Sequence, residues 1–336
     1  MGWSGNQPTL LEDDMDHRSS AAPGISRRAA LGAVGTLGAV GAAGALAAPA
    51  GASPAATTGR RPAGDPLIGA AKGSTIHAMS FNIRLDRSDT TQPGEPDHWP
   101  DRAPLVTAFL ALEQPTILGV QEAEFQQLVA VEEGLGRHYR TVGYGRDGGA
   151  GGEYSAIFYD ARRLTLLWWD QYWLSDTPDL IGSATWGNSV TRIVTWARFR
   201  DERTGTEFLH VNSHFDHESE NARVRSARVV RDQVAEAGLP AVVSADFNAV
   251  AGASAPYDVL VTDGGLLDTW DAADRQLTPD VGTFPNYGDP VPGGERIDWI
   301  LASGGVEVLA ATVNTWTSGG RYPSDHTPVQ ALLRLA

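Results

Sequence analysis

From Thr75 to Leu335 short apolar runs recur between polar breaks, and only a few longer segments carry helical spacing. "TIHAMSFNIRL" (75–85) predicts a strand, "RAPLVTAFLALEQ" (102–114) a helix stopped by Pro115, and "TILGVQEA" (116–123) a buried strand. A helix follows over about 124–134, then strands at 139–144 and 155–160 and the aromatic strand "LTLLWWDQYWLS" (164–175). Residues 192–201 and 206–216 alternate like a hairpin around Thr204-Gly205. Val224, Ala227, Val230 and Val234 give 220–237 one apolar helical stripe, with Arg223, Arg225, Arg228 and Arg231 on a solvated face. Strands at 240–250, 296–303, 306–316 and 327–335 complete the pattern. So many strands with three or four helices predict an α/β (α+β) fold: a four-layer sandwich of two mixed β-sheets packed face to face, with helices on the outside.

The N-terminus follows a different rule. Ser26-Arg27-Arg28-Ala29-Ala30-Leu31 precedes an uncharged Ala/Gly/Leu/Val stretch and small-residue cleavage sites at 48–52, so residues 1–52 read as a twin-arginine export signal. The alternative is one transmembrane anchor, which the many glycines and alanines make a weak span. Residues 53–73 read as a flexible lead-in and 74–336 as one domain, long enough for a full core. The expected location is secreted or cell-envelope, with no membrane span after cleavage and a monomer as the simplest state. The chain has no cysteine, in keeping with a protein that folds in a reducing compartment before export.

Charge narrows the partners. The net charge is −15, the leader holds three arginines against four carboxylates, and Lys72 is the only lysine. Broad capture of nucleic acid by Lys and Arg is therefore disfavoured, although a metal ion could still supply a local positive field for a nuclease.

The informative anomaly lies at the strand ends. Six apolar runs terminate in a carboxylate, carboxamide or imidazole: Asn82, Glu122, Asn212 with His214, Asp246 with Asn248, Asp298, and Asp325-His326. One such residue is usually a cap or a satisfied core group. Six on separate strands would each carry a desolvation cost of a few kcal/mol, which convergence on a shared site removes. Asn82, Glu122, Asp246, Asn248 and Asp325 offer oxygen donors without a thiolate, a set suited to Mg²⁺, Mn²⁺ or Ca²⁺. His214 and His326 are then candidates for acid/base work or phosphate contact.

In this order, "FN", "QE", "SHFDH", "DFN", "RIDWI" and "SDHTPV" resemble the endonuclease/exonuclease/phosphatase superfamily, the deoxyribonuclease I-like enzymes, over nearly the whole mature chain. The resemblance implies a metal-dependent phosphoric ester hydrolase that cleaves a phosphodiester or phosphomonoester by in-line attack of water. It implies Glu122 as the primary Mg²⁺ ligand, supported by Asn82 and Asp325, with Asp246 and Asn248 facing the water and phosphoryl oxygens or a second ion. His214 would donate to a phosphate oxygen and Asp298 would orient His326; either His326 or Asp246 could be the general base. "SHFDH" and "SADFN" depart mildly from the usual Thr-His-Leu-Asp and Gly-Asp-Phe-Asn.

Substrate remains open at this level. Arg146, beside Glu153 in a glycine-rich loop, and Arg192 are candidate substrate-binding residues or simple ion pairs. The ten tryptophans could stack on a ligand, though in strands they more often pack a core. A phosphohydrolase for a small phosphate ester is the leading reading; a DNase I-like secreted nuclease is the alternative and a sphingomyelinase-like phospholipase C a weaker one. A glycosidase would not need His214, Asn248 and His326, and a binding module would not need every catalytic position filled.

Overall fold

The computed structural model describes residues 64–336; the expected export signal and the first part of the expected lead-in lie outside the described residues. Among the described residues twelve strands form two six-stranded sheets. They are β1 (Thr75–Asn82), β2 (Ile117–Gln121), β3 (Tyr139–Val142), β4 (Ile157–Asp160), β5 (Leu164–Trp173), β6 (Ile193–Asp201), β7 (Glu207–His214), β8 (Ala241–Asp246), β9 (Leu267–Asp268), β10 (Asp298–Ala302), β11 (Val306–Val313) and β12 (Val329–Leu335). The first sheet runs β11-β12-β1-β2-β4-β3 and the second β5-β6-β7-β8-β10-β9. Both are mixed, with β1 parallel to β2 and β7 parallel to β8, as the sequence predicts. The helices are α1 (Trp99–Glu113), α2 (Leu128–Leu135) and α3 (Glu220–Ala237), with short helical turns at 125–127, 255–257, 258–262 and 269–272. Among the described residues no helix is long and apolar enough to cross a membrane.

The period of two explains the layers. In β1, Ile76 and Ala78 pack in the core between the sheets, while Met79 and Phe81 pack against α1 and α2. In β8, Val242 faces the other sheet, whereas Val243 and Ala245 join the cluster under α3 with Ala227, Val230 and Val234. Both faces of these strands are therefore buried, which is why they read as nearly continuous apolar runs. α3 begins where Ser219 accepts the Ala222 N–H and ends at Gly238, whose φ of 59° suits a left-handed cap.

The face between the sheets changes character along its length, and this positions the site. It reads Ile76-Ala78-Ser80-Asn82 on β1, Ile117-Gly119-Gln121 on β2, Phe208-His210-Asn212-His214 on β7 and Val242-Ser244-Asp246 on β8. Midway a polar layer ties the sheets together: Gln121 donates to Asn212 at 2.7 Å, Ser244 to Asn212 at 3.1 Å, and Asn212 to the carbonyls of Val120 and Ala156. Gly119 leaves room for this layer, because a Cβ there would lie 2.2 Å from Ser244 Oγ. Beyond the layer, the ends of the parallel strands and the start of antiparallel β10 meet at one edge. His214 stands opposite Asp246, and Asp246 opposite Asp298.

Two expectations shift. The strands are shorter than their apolar patterns predict, because Glu122, Asn248 and Asp325 sit in loops just past or before them, Glu122 and Asn248 with φ of 60° and 48°. The described part of the lead-in is not loose: the Glu113 carboxylate accepts the N–H groups of Leu67, Ile68 and Gly69, and His77 Nδ1 lies 2.8 Å from the Gly69 carbonyl. Domain packing therefore begins at about Leu67 rather than 74. Among the described residues the tryptophans mostly follow the packing expectation: Trp173, Trp186, Trp270, Trp299 and Trp316 are buried, and Trp168 is exposed.

Candidate active site

Asn82 closes β1 at the centre of the polar edge. Its Nδ2 donates to Glu122 Oε1 at 2.8 Å and to Asp246 Oδ2 at 3.0 Å, and its Oδ1 accepts the Arg84 N–H at 3.0 Å. Its nitrogen thus holds the Glu122 and Asp246 carboxylates together, while its oxygen accepts one N–H. Glu122 also accepts the Leu85 N–H at 3.1 Å.

On the second sheet Asp246 takes the Asn248 N–H at 2.9 Å, a local turn that follows from the left-handed backbone of Asn248. Asn248 Nδ2 lies 2.9 Å from His214 Nε2 and donates to the Phe215 carbonyl, and His214 Nε2 is 3.4 Å from Asp246. His326 Nδ1 meets Asp298 Oδ2 at 2.9 Å while its Nε2 looks toward Asp246 at 3.8 Å. Two groups of three, Glu122/His214/Asp246 and Asp246/Asp298/His326, each bring ligand atoms within 4.8 Å of one another. Asp325 stands apart from both groups, 3.4 Å from the Arg84 guanidinium and bonded by Ser324. All eight residues foreseen as catalytic or metal-binding thus collect at one edge.

Electrostatics divides the two imidazoles. Burial works against a charge on His326, but the carboxylates of Asp298, Asp246 and Asp325 outweigh it and raise its pKa well above the usual value. Burial, reinforced by Arg192, His326 and Arg146, keeps His214 well below that value and neutral. With Nε2 accepting from Asn248, the His214 proton resides on Nδ1, which faces Glu153 at 3.9 Å. Asp246 is pushed up to about 7 by burial and then by the Asp298 charge. Glu122 is held below the usual carboxylate range: burial opposes this, and His326, Asn82, Arg84 and the Leu85 N–H overcome it.

Arg146 and Arg192 line the His214 side and both carry ion pairs. Arg146 meets Glu153 at 2.8 Å, and Arg192, 5% exposed, lies 3.7 Å from Asp216 and 3.1 Å from His217. Sequence reasoning missed Arg84, whose guanidinium lies between Glu122 and Asp325 at 3.6 and 3.4 Å, and Asp97, which it also pairs. It also missed Phe284, half exposed, whose ring centroid lies 4.8 Å from that of His326. The one available signal was Arg84's place two residues after Asn82.

The profile of the Endonuclease/Exonuclease/phosphatase family matches residues 79–326, a span that holds this whole constellation. The chain belongs to that family. An endonuclease/exonuclease/phosphatase family protein from Bacteroides thetaiotaomicron is 33% identical, with a TM-score of 0.73 over 80% of this chain and 97% of that one. The mannosyl-6-phosphatase of Bacteroides thetaiotaomicron is 34% identical, with a TM-score of 0.70 over 77% of this chain and 99% of its own. The human Nocturnin catalytic domain, 17% identical at a TM-score of 0.57, shares the fold. No curated protein matches the chain. As a member of this family the protein is a hydrolase of phosphoester bonds, and its two sheets with outer helices are the family fold.

Proposed function

We propose that the protein is an exported, divalent-metal-dependent phosphohydrolase that removes phosphate from a small ester, with sugar phosphates the first class to test. The observation that carries this reading is the convergence of Glu122, Asp246, His214, Asn248 and the Asp298–His326 pair at one sheet edge. A net charge of −15 and a single lysine favour a small substrate over a polynucleotide, and the mannosyl-6-phosphatase likeness supports a sugar.

The residues fit a hard cation: their donors are carboxylate and carboxamide oxygens and imidazoles, and Glu122 and Asp325 already converge on one positive group, Arg84. Glu122 and Asp325 would hold Mg²⁺, with Asp246 adjoining; when bound it would neutralise charge on a phosphoryl oxygen and polarise phosphorus toward attack.

The remaining chemistry belongs to the chain. Asp246, near neutrality in its proton affinity, orients the attacking water and takes its proton, with Asn82 fixing the carboxylate at 3.0 Å. His326, held protonated by Asp298, places a positive N–H where charge develops in the transition state. Asn248, whose amide is held against His214 and the Phe215 carbonyl, keeps that imidazole in place, and Arg146 and Arg192 add positive potential on that side. The twin-arginine leader would carry the folded enzyme out of the cytoplasm.

The test is a substrate panel with Mg²⁺: mannose 6-phosphate and other sugar phosphates, inositol phosphates, bis-p-nitrophenyl phosphate, sphingomyelin, plasmid DNA and RNA. Release of phosphate from sugar phosphates above all others is expected. Rapid cutting of plasmid DNA with no sugar-phosphate turnover would overturn the substrate class.

A further inference from the structure

Arg102 lies in the first turn of α1 and is 0% exposed, yet among the described residues no carboxylate is in hydrogen-bonding contact with it; Asp97 stands 3.7 Å away. Its guanidinium instead donates to four backbone carbonyls: Nη1 to Ile83 at 2.7 Å and to Pro323 at 3.1 Å, Nη2 to Arg84 at 3.2 Å and Leu85 at 3.1 Å. Trp99 covers it, with the guanidinium carbon 5.1 Å from the ring centroid.

Those carbonyls belong to the two segments that carry half the site. Residues 83–85 leave β1 directly after Asn82 and give Glu122 the Leu85 N–H; Pro323 precedes Ser324-Asp325-His326. Pro323 lies 221 positions from Arg102 and Arg84 only 18, so one guanidinium joins two segments that are distant in sequence. The segments are also tied directly by Ser324 Oγ donating to the Asn82 carbonyl at 2.7 Å and by the Arg84 guanidinium at 3.4 Å from Asp325. Asp97 extends the link: it accepts from the Arg84 guanidinium at 3.3 Å and from the Tyr287 hydroxyl at 2.9 Å, and the Asn286 N–H reaches the Asp325 carbonyl at 3.0 Å.

A buried cation costs several kcal/mol unless its donors are satisfied. Meeting the four Nη hydrogens with carbonyls of two site loops, while Nε has no partner among the described residues, ties the stability of the charge to the spacing of those loops. Only a planar fork reaches both sides at once; an ammonium with three tetrahedral donors does not. We propose that Arg102 is a positioning residue, whose buried guanidinium sets the distance between the Asn82–Leu85 segment and the Ser324–His326 segment and so the geometry of the Glu122/Asp325 and Asp298/His326 pairs. This rests on the phosphohydrolase reading above.

The experiment compares full-length Arg102→Lys, Arg102→Met, Asp97→Asn and Glu122→Gln with the parent protein. It uses circular dichroism for folding, kinetics on p-nitrophenyl phosphate with Mg²⁺, and calorimetric titration with Mn²⁺. Folded Arg102→Lys is expected to lose about 10²-fold in kcat, with KM changed less than about threefold and Mn²⁺ bound at least about fivefold more weakly. Should both Arg102 variants fail to fold, Asp97→Asn, which spares the four carbonyl bonds, is expected to lower kcat by about 3- to 10-fold at parental helicity. Arg102→Lys folded with kcat and Mn²⁺ affinity both within about twofold of the parent overturns the proposal, as does an unchanged Asp97→Asn if that is the only folded variant. Glu122→Gln separates the two claims: if it stays active, the metal-site reading fails, and if it is dead while Arg102→Lys is normal, only the positioning role fails.

Discussion

Replacing Asp298 by Asn tests the electrostatics of the site with little change of shape. Asp298 is 1% exposed, opposes Asp246 in register, and its Oδ2 meets His326 Nδ1 at 2.9 Å. An amide can still accept that hydrogen bond, but it cannot stabilise the imidazolium. A hydrogen bond to a charged group is worth about 1.5–3 kcal/mol. Losing it in the transition state should lower kcat by about 10- to 150-fold, with KM affected less. The same substitution acts on Asp246, where burial and then the Asp298 charge raise the pKa to about 7. Without that neighbour Asp246 ionises at lower pH, so the acidic limb of the kcat profile moves down. His326 loses its main charge partner and gives up its proton at lower pH, so the alkaline limb moves down too. A stopped assay with p-nitrophenyl phosphate across pH 5 to 9 reads both. Activity within about twofold of the parent, with an unmoved profile, would refute the assigned charges.

Other consequences are open to direct measurement. EDTA should abolish turnover of every substrate and Mg²⁺ restore it saturably, while Glu122→Gln stays inactive at any Mg²⁺ concentration; activity that persists in EDTA would count against a metal-dependent site. Gly119→Ala drives a methyl to 2.2 Å from Ser244 Oγ and 2.4 Å from Asn212 Oδ1, so about 2–3 kcal/mol of stability and about 5–10 °C in Tm should be lost. An unchanged melting curve would contradict the tight polar layer. Burial depresses His77 to about 4 and His210 to about 3, both from 6.5, so the unfolded chain binds protons that the folded one refuses. The stability they contribute is complete above about pH 6.5 and falls as pH drops toward 4, by about 1.4 kcal/mol per histidine per pH unit. Urea midpoints at pH 7 and 5 check this, and replacing His210 by Asn should flatten the slope.

How much of this could be read in the chain depends on range. Alternation within strands is a local signal that yields the layers, and helical spacing yields α3, because Ala227, Val230 and Val234 lie on one buried face within one segment. The polar strand ends were legible for a related reason: Asp246 and His214 end apolar strands and Asp298 begins one. β9, two residues long, and the turns at 255–262 and 269–272 are too short for any periodicity. Arg84 and Arg102 were opaque because an arginine after a strand or in a helix usually faces water. Their roles come from groups far away in sequence, Asp325 for the one and Pro323 for the other. The first residues of the domain resemble a linker because Glu113, the group that holds Leu67–Gly69, lies more than forty positions downstream.

Whether these strand ends make one cation site can be seen directly. Crystals of the protein soaked with Mn²⁺ should show their strongest anomalous peak in contact with the Glu122 carboxylate and within reach of Asp325 or Asp246, and that peak should vanish in Glu122→Gln. A peak elsewhere, or none at this edge while the crystals still hydrolyse substrate, would contradict it.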